Sequence, residues 1–414
     1  MKFSANAKNA IKIGAMCFLS YLAVYLARNV LSTVTPQMQA QGFTKADIGV
    51  ASSLYFITYA FGQLINGAIG DKIKAKYMMS FGLAFAGISN FLFSFICSAD
   101  PDSIGRISVA AYVAYASVGF FLAMIYGPMT KVVAENTEMP YTTRCSLGYT
   151  FASYFGSPVA GMLATFLAWQ SVFAASSVLL VIMAVAVFVS FAVFEKKGII
   201  TYGRFKNEKN GKAGGIKALF SRQIVKFSLV SILTGIVRTS VLFWLPTYFN
   251  ERLTYSETEA ATVFTIASLF ISCGAFIVVF IYEKLGHDLD KTVLLMFSLA
   301  AVFFGLTFFI PNPLVNVVLI VLSIMSSNGA ATMLWSRYCP SLRDTGIVSG
   351  VTGFLDFLSY MAAAAANVLF PLLIEERAWS WESVVLIWLG LMVVGVLISL
   401  PYNKIFVRKT DLEA

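Results

Sequence analysis

The chain has 414 residues, of which 58% are hydrophobic and only 12% charged, with a formal net charge of +9. A soluble domain is about a quarter charged and under half apolar, so this composition excludes an ordinary soluble protein. With a mean hydropathy of +0.78, the surplus of apolar residues is expected to face lipid.

Twelve apolar runs follow one another along the chain. They lie at about 11–35, 47–69, 77–97, 107–134, 145–168, 170–194, 223–249, 258–282, 291–310, 313–335, 346–373 and 383–402. A membrane-spanning helix needs about 20 apolar residues, so the sequence predicts an all-α membrane protein with 12 transmembrane helices. The first run lacks a small-residue cleavage site, so we predict a first helix rather than a removable signal peptide.

The polar stretch 195–222 divides the chain into an N-terminal six-helix half, 1–194, and a C-terminal six-helix half, 223–414. With the N-terminus inside, 24 of the 30 lysines and arginines fall in cytoplasmic segments. This asymmetry predicts a multi-pass protein of the cell (inner) membrane with both termini and the central loop, 195–222, in the cytoplasm. The basic charge therefore reflects orientation in the lipid bilayer, and nucleic acid is not an expected partner.

Three residues of the first half recur in the second half at an offset of 210. The matching pairs are Arg28 and Arg238, Pro36 and Pro246, and Asp47 and Glu257. This register indicates duplication. It predicts two pseudo-symmetric halves related by an axis along the membrane normal, with a binding site between them.

Three charged residues fall inside the predicted membrane helices: Arg28, Arg238 and Asp356. A charge at mid-bilayer costs about 2.5–3.5 kcal/mol even on the lenient insertion scale, so such residues face a wet cavity or one another. Two arginines predict an anion site, because the guanidinium fork matches phosphate or carboxylate and stays charged. The alternative is that Asp356 neutralises one arginine as a structural pair.

Polar residues recur at helical spacing around these charges, which predicts stripes that face a cavity rather than lipid. The stripes are Tyr21, Tyr25, Arg28 and Ser32; Tyr55, Tyr59, Gln63 and Asn66; Ser231, Thr234 and Arg238; and Thr352, Asp356, Ser359 and Asn367. The alternative is that isolated hydroxyls only join neighbouring helices.

The loop after the second run contains Gly67, Asp71 and Lys72. The glycine permits close approach of helices, and the acid followed by bases can hold two helix ends together. We therefore predict a cytoplasmic gate here, with a plain basic inner loop as the alternative.

The twelve runs and the Gly67/Asp71 loop resemble the major facilitator superfamily over essentially the whole chain. Further motifs resemble the organophosphate:phosphate antiporter family. They are Tyr25-x-x-Arg28 with Pro36, Gly42-Phe43, Asp47-x-Gly49, Tyr59-x-x-Gly62, and Arg238 before Trp244-x-Pro246-Thr-Tyr248. The resemblance implies that the two arginines bind phosphate. It also implies that glycerol-3-phosphate-like or hexose-phosphate-like substrates exchange for inorganic phosphate as the halves rock.

The sequence departs from that family at three positions. Asn29 and Gln63 stand where the family has lysines, and Ser153 stands near a histidine of the glycerol-3-phosphate type, whereas Lys131 matches a basic position. Fewer cations favour a monoanion, a phosphonate or a different organic anion. Asp356 is an extra acid and a candidate carrier of a coupling proton, since burial favours a neutral carboxyl group.

The sequence thus predicts a monomeric secondary transporter of a small organic anion, with phosphate or a proton as candidate coupling ion, and no enzyme, cofactor or metal site. The candidate substrate-binding residues are Arg28, Arg238, Tyr25, Asn29, Tyr59, Gln63, Lys131, Ser153 and Asp356. Two other functions remain open: a non-transporting membrane sensor of a phosphorylated metabolite, and a proton-coupled exporter of drug-like compounds.

Overall fold

The computed structural model describes residues 5–70, 73–99, 106–202, 223–310, 312–339, 348–375 and 379–400. All structural statements below concern these residues. The stretch 203–222 lies outside them, so the boundaries predicted for the central loop and the two halves stay predictions.

Six helices form the first half of the chain. They are α1 (Ala5–Ala40), α2 (Lys45–Gly70), α3 (Ala75–Ala99), α4 (Val109–Leu122 and Tyr126–Asn136), α5 (Met139–Phe166) and α6 (Trp169–Lys196). A turn at 123–125 interrupts α4. Ser108 begins α4 by accepting a hydrogen bond from the backbone N–H of Ala111, which satisfies one of the free donors of the first turn.

Six helices also form the second half. They are α7 (Ile224–Gly235, the π-helical stretch Ile236–Val241, and Leu242–Glu251), α8 (Glu257–Lys284), α9 (Leu289–Leu306), α10 (Pro313–Met333 and the π-helical stretch Leu334–Tyr338), α11 (Val348–Glu375) and α12 (Trp381–Ser399). Ser256 and Glu259 form a capping box that begins α8.

Eleven of the described helical segments are long and apolar enough to cross a membrane. The twelfth, α5, has 28 residues and includes most of the predicted run 145–168. At a rise of about 1.5 Å per residue, that length also exceeds the hydrocarbon layer. The predicted all-α fold with 12 transmembrane helices is confirmed.

Large apolar side chains cover the outer faces of α3 and α6. Phe81 and Phe85 are 49% and 40% exposed, and Ile182 and Val185 are 57% and 61% exposed. Apolar surface of this extent is expected to be covered by lipid tails, which agrees with the bilayer as the surrounding medium.

The helices of the two halves pack in matching pairs. In the first half α1 packs on α5, α2 on α4, and α3 on α6; in the second half α7 packs on α11, α8 on α10, and α9 on α12. Across the halves α2 packs on α11 and α5 on α8, which are again counterparts. This arrangement confirms the two pseudo-symmetric halves.

Two glycines bring the halves together. A Cβ atom at Gly49 of α2 would lie 2.4 Å from the carbonyl oxygen of Asn367 in α11, and one at Gly161 of α5 would lie 2.2 Å from Oγ1 of Thr265 in α8. Small residues allow helices to approach closely in a membrane, where packing drives association. A central site can therefore be closed by contact between the halves.

Candidate functional site

Aromatic rings surround the guanidinium of Arg28, which α1 carries into the middle of the bundle. Its Cζ lies 4.8 Å from the ring centre of Tyr360, 5.1 Å from those of Tyr25 and Phe56, and 5.3 Å from that of Tyr59. The side chain is buried. Ring faces attract cations, and this attraction is stronger where water is excluded. The rings thus hold a charged group at a depth where it would otherwise be costly.

A single tyrosine hydroxyl joins the two predicted arginines. Nη1 of Arg28 donates a hydrogen bond to the hydroxyl of Tyr360 at 2.8 Å, and Nη2 of Arg238 donates to the same oxygen at 3.4 Å. Arg28 belongs to the first half, whereas Arg238 and Tyr360 belong to the second. The repeat register thus predicted correctly that one arginine from each half reaches a common point.

Arg238 lies in the π-helical stretch Ile236–Val241 of α7. Such stretches are rare, occur often at functional sites, and change the direction in which a side chain leaves the helix. Gly235, just before it, packs against Ser359 of α11. The close approach of α7 to α11 brings Arg238 towards Tyr360.

A small cavity between the halves begins at these arginines. Its walls come from helices of both halves and are rich in hydroxyl groups. They consist of Tyr25, Arg28, Asn29, Ser32, Phe56, Ser153, Tyr154, Ser157, Arg238, Thr239, Leu242, Phe243, Ser268, Ile271, Ser272 and Asn328. Oγ1 of Thr239 and Oδ1 of Asn328 are buried, and neither atom takes part in a hydrogen bond among the described residues. Buried polar atoms normally have partners, so these two atoms are available to a bound molecule or to water.

Most of the predicted site residues meet in this region. Tyr25, Asn29 and Ser153 line the cavity beside the arginines, and Tyr59 packs on Arg28. Asn29 also donates from Nδ2 to the backbone oxygen of Tyr25 at 2.6 Å. This bond leaves the amide oxygen of Asn29 and one N–H for other partners.

Four predicted site residues do not line this cavity: Tyr59, which packs on Arg28, Asp356, Gln63 and Lys131. Gln63 lies on α2 one turn beyond Tyr59, and Lys131 lies on the second segment of α4. Their assignment to the substrate site stays a prediction.

Asp356 lies on α11 one helical turn before Tyr360 and is half-buried. Within the described residues it forms no ion pair with Arg28 or Arg238, although these two are the cations that act on its charge. Tyr360, rather than the acid, joins the arginines. The geometry therefore gives no support to the alternative in which Asp356 is a structural partner of one arginine.

The predicted gate is described only in part. Gly67 lies within α2, whereas Asp71 and Lys72 lie outside the described residues. The gating role of all three stays a prediction.

Polar contacts join the halves at the end of the bundle that the charge distribution predicts to be the outer one. Glu251 of α7 pairs with Nζ of Lys45 at 2.9 Å and accepts from Nε2 of Gln39 at 3.1 Å. Glu375 at the end of α11 accepts from the backbone N–H groups of Lys45 and Ala46 at 2.7 and 2.9 Å. A carboxylate at the beginning of α2 also interacts favourably with the helix dipole. These contacts, here called the outer latch, close that end.

Several residues of the site were not predicted from the sequence, among them Phe56, Thr239, Asn328 and Tyr360. Tyr360 follows Asp356 by four residues, a spacing that places both near one helix face and was the available signal. Thr239 could not be identified from helical spacing, because the π-helical stretch shifts the 3.6-residue periodicity by which cavity-facing residues were chosen. The available signal for Asn328 was the polar run Ser326-Ser327-Asn328 in the middle of a mostly apolar helix.

The fold and the site define a polytopic membrane transporter with an arginine-containing cavity between two six-helix halves. The chain belongs to the Major Facilitator Superfamily, whose family model matches residues 17–366. The glycerol-3-phosphate transporter of Bacillus subtilis is 21% identical over 418 residues, which cover 93% of this chain and 90% of that protein.

Two further comparisons are narrower. Membrane sensor protein UhpC of Salmonella typhimurium is 34% identical over 82 residues, which cover 20% of this chain and 19% of the sensor. The solved structure of a D-xylose–proton symporter has a TM-score of 0.71 at 14% identity and covers 94% of this chain and 97% of that chain, a likeness of fold alone. Together the comparisons confirm the resemblance to organophosphate transporters and a transporter rather than an enzyme.

Proposed function

We propose that the protein is a secondary active transporter that exchanges a small organic anion, an organophosphate or a sugar phosphate, across the cell membrane by alternating access. The observation that supports this most directly is the convergence of Arg28 and Arg238, one from each half, on one hydroxyl. A phosphate group has several oxygens that can accept from both guanidinium groups, whereas Tyr360 offers one. Binding of an anion would therefore give each guanidinium group acceptors of its own, in place of the one hydroxyl that both now share.

The energetic argument rests on desolvation. A guanidinium group stays charged when it is removed from water, and no acid among the described residues forms an ion pair with either arginine. Separated from water, such cations bind an anion more strongly than exposed ones do. Asn29 and Gln63 lower the number of cations compared with the family pattern, so a substrate of low net charge is favoured. The buried polar atoms of Thr239 and Asn328 supply positions for neutral parts of that substrate.

Alternating access requires contacts that break at one end as they form at the other. The outer latch closes one end of the cavity, and the predicted topology assigns that end to the outside. The described conformation then corresponds to a carrier that faces the cytoplasm. Glycines let α2 pack closely on α11 and α5 pack closely on α8, and the halves can rock about these two contacts.

Counterflow in proteoliposomes tests the proposal. Vesicles loaded with unlabelled phosphate, glycerol-3-phosphate, a hexose phosphate, methylphosphonate or a carboxylate are placed in the labelled compound, and uptake is compared with protein-free vesicles. We expect exchange of at least one phosphorylated or phosphonate compound and its loss in Arg28→Lys. A chain that moves none of these anions, or an Arg28→Lys variant with full activity, would contradict the anion site.

The local similarity to a membrane sensor supports one competing function. A sensor binds its ligand without moving it, so binding of a phosphorylated compound to purified protein without counterflow would favour sensing. The exporter alternative predicts efflux of lipophilic cations along a proton gradient. The paired arginines argue against such substrates, because a cationic site repels them.

A further inference from the structure

A second group of side chains lies one helical turn below the arginines, on the side away from the outer latch. It consists of Tyr21, Tyr126, Tyr149 and Asp356, here called the aromatic–acid layer. Its position follows from the sequence spacing on three helices that run in the same direction, α1, α5 and α11. Tyr21 precedes Tyr25 by four residues, Tyr149 precedes Ser153 by four, and Asp356 precedes Tyr360 by four. Four residues correspond to a rise of about 6 Å.

Three tyrosine rings of the layer contact one another. The ring centres of Tyr21 and Tyr126 are 5.7 Å apart, those of Tyr21 and Tyr149 are 6.1 Å apart, and those of Tyr126 and Tyr149 are 6.2 Å apart. Tyr21 and Tyr149 are buried, but Tyr126 is 38% exposed. Tyr126 thus leaves part of its side chain accessible beside two buried rings of the bundle interior.

Asp356 belongs to the second half and lies one turn before Tyr360 on α11. Its carboxylate is near enough to Tyr126, Tyr59 and Tyr360, which lie on three different helices, to interact with them electrostatically. The carboxylate forms no ion pair among the described residues and remains half-buried. Lys131 follows Tyr126 by five residues, which places it about 140° around α4 from the ring. An acid and aromatic rings thus border the passage that leads to the two arginines.

We infer that the aromatic–acid layer is a subsite for an ammonium group, and that the preferred substrate is a zwitterion with a phosphate or phosphonate at one end and an amine at the other. The inference rests on the proposed anion transport. An ammonium group is attracted by a carboxylate and by the face of a tyrosine ring. The anionic end would bind Arg28 and Arg238 while the amine, about 6 Å away, binds Asp356. Two cations and one acid match a ligand with a dianionic and a monocationic end.

The test compares two probes of nearly equal size, ethyl phosphate and 2-aminoethyl phosphate, which differ by the ammonium group. Their dissociation constants are measured by calorimetry on the purified full chain, and their exchange is measured in proteoliposomes. We expect the amine to bind about tenfold more tightly. In Asp356→Asn the ratio of the two dissociation constants should fall to about one.

Tyr126 supplies an independent variant. Tyr126→Leu removes the exposed ring and should reduce the preference for the amine, whereas Tyr126→Phe keeps the ring face and should retain most of it. Circular dichroism and the melting temperature identify any variant that has lost its fold. If Asp356→Asn has lost its fold, the comparison of Tyr126→Leu with Tyr126→Phe becomes the deciding measurement.

The possible failures are distinct. If ethyl phosphate binds but the amine binds no more tightly, the ammonium subsite is wrong and the anion transporter stands. If neither compound binds, the subsite is wrong, and the counterflow screen with the other anions decides separately whether the proposed transport stands. A preference that persists in Asp356→Asn would overturn the assignment. So would uptake of ethyl phosphate that follows a proton gradient and loses that dependence in Asp356→Asn, since the carboxylate would then carry the coupling proton.

Discussion

The two arginines occupy equivalent positions of the repeat but different surroundings. Arg28 extends from a regular α-helix into four aromatic rings and is 8% exposed. Arg238 lies in a π-helical stretch and is half-buried, and in the described part of the chain no aromatic ring face stacks on its guanidinium. Duplication therefore conserved the charge and its position, but only one copy has a rigid enclosure.

The difference suggests a division of roles. A guanidinium held by rings and by a hydroxyl at 2.8 Å has little freedom and can anchor an anion in a fixed position. Arg238, whose bond to the same hydroxyl is 3.4 Å long, can adjust as the halves move. Symmetry supplies the two charges, and local packing decides which of them positions the substrate.

Replacing each arginine by lysine tests this asymmetry and should have the largest effect. Arg28→Lys keeps the charge but loses the fork and the stacking, so we expect exchange to fall about 100-fold or more. Arg238→Lys should lower exchange about tenfold, because the more mobile side chain loses less fixed geometry. Exchange rates of a counterflow-active substrate in proteoliposomes give both values.

Arg252→Lys is the matched control, because Arg252 pairs with Glu382 in the same half and both are well exposed. It should leave exchange unchanged within about twofold. Equal losses in the two site variants would mean that the enclosure of Arg28 contributes nothing, and a larger loss in Arg238→Lys would reverse the roles.

Tyr360→Phe should have an effect of intermediate size, and it should increase the affinity for the anion. The substitution keeps the ring beside Arg28 but removes the oxygen that both guanidinium groups share. A buried donor without an acceptor costs about 1–3 kcal/mol, so the empty site becomes less stable and a phosphate that fills it should bind about tenfold more tightly. Turnover should fall, because release becomes harder.

Calorimetry with the exchanged anion measures this affinity. Tyr248→Phe provides the comparison, since the hydroxyl of Tyr248 donates to Asn316 at 2.7 Å away from the cavity lining. Its affinity for the anion should stay within about twofold of the parent chain. Weaker binding in Tyr360→Phe would mean that the hydroxyl itself contacts the substrate rather than competing with it.

The sequence predicted the helix count, the repeat and the two central arginines because each depends on local or periodic signals. Apolar length predicts a span, and a constant offset relates Arg28 to Arg238. The contacts of Tyr360 with both arginines could not be predicted in this way, since they depend on how α11 packs against α2 and α7. The same holds for Thr239, whose direction is set by a π-helical stretch without a sequence signature in a single chain.

Charge alone does not decide which groups pair inside the membrane. The sequence left Asp356 as an alternative partner for one arginine, because opposite charges in a membrane are expected to pair. The hydroxyl of Tyr360 accepts from both arginines, and Asp356, one turn away on α11, forms no ion pair among the described residues. A sequence records which charges enter the membrane, but the rotation of a helix decides which of them meet.

Substitutions in the outer latch should give the smallest effect. They compare the two halves as whole units rather than the two arginines. Glu375→Gln weakens the cap that α11 places on the beginning of α2, and the double variant with Glu251→Gln also weakens the pair with Lys45. Partly exposed pairs contribute about 1 kcal/mol or less, so we expect a shift of about fivefold towards the conformation that is open at this end. Distance measurements between spin labels on α1 and α7, or labelling of a cysteine introduced beside Ser32, would detect it. Glu382→Gln breaks a pair within one half and should shift nothing, so an equal response in that variant would show that the carboxylates act through surface charge rather than by joining the halves.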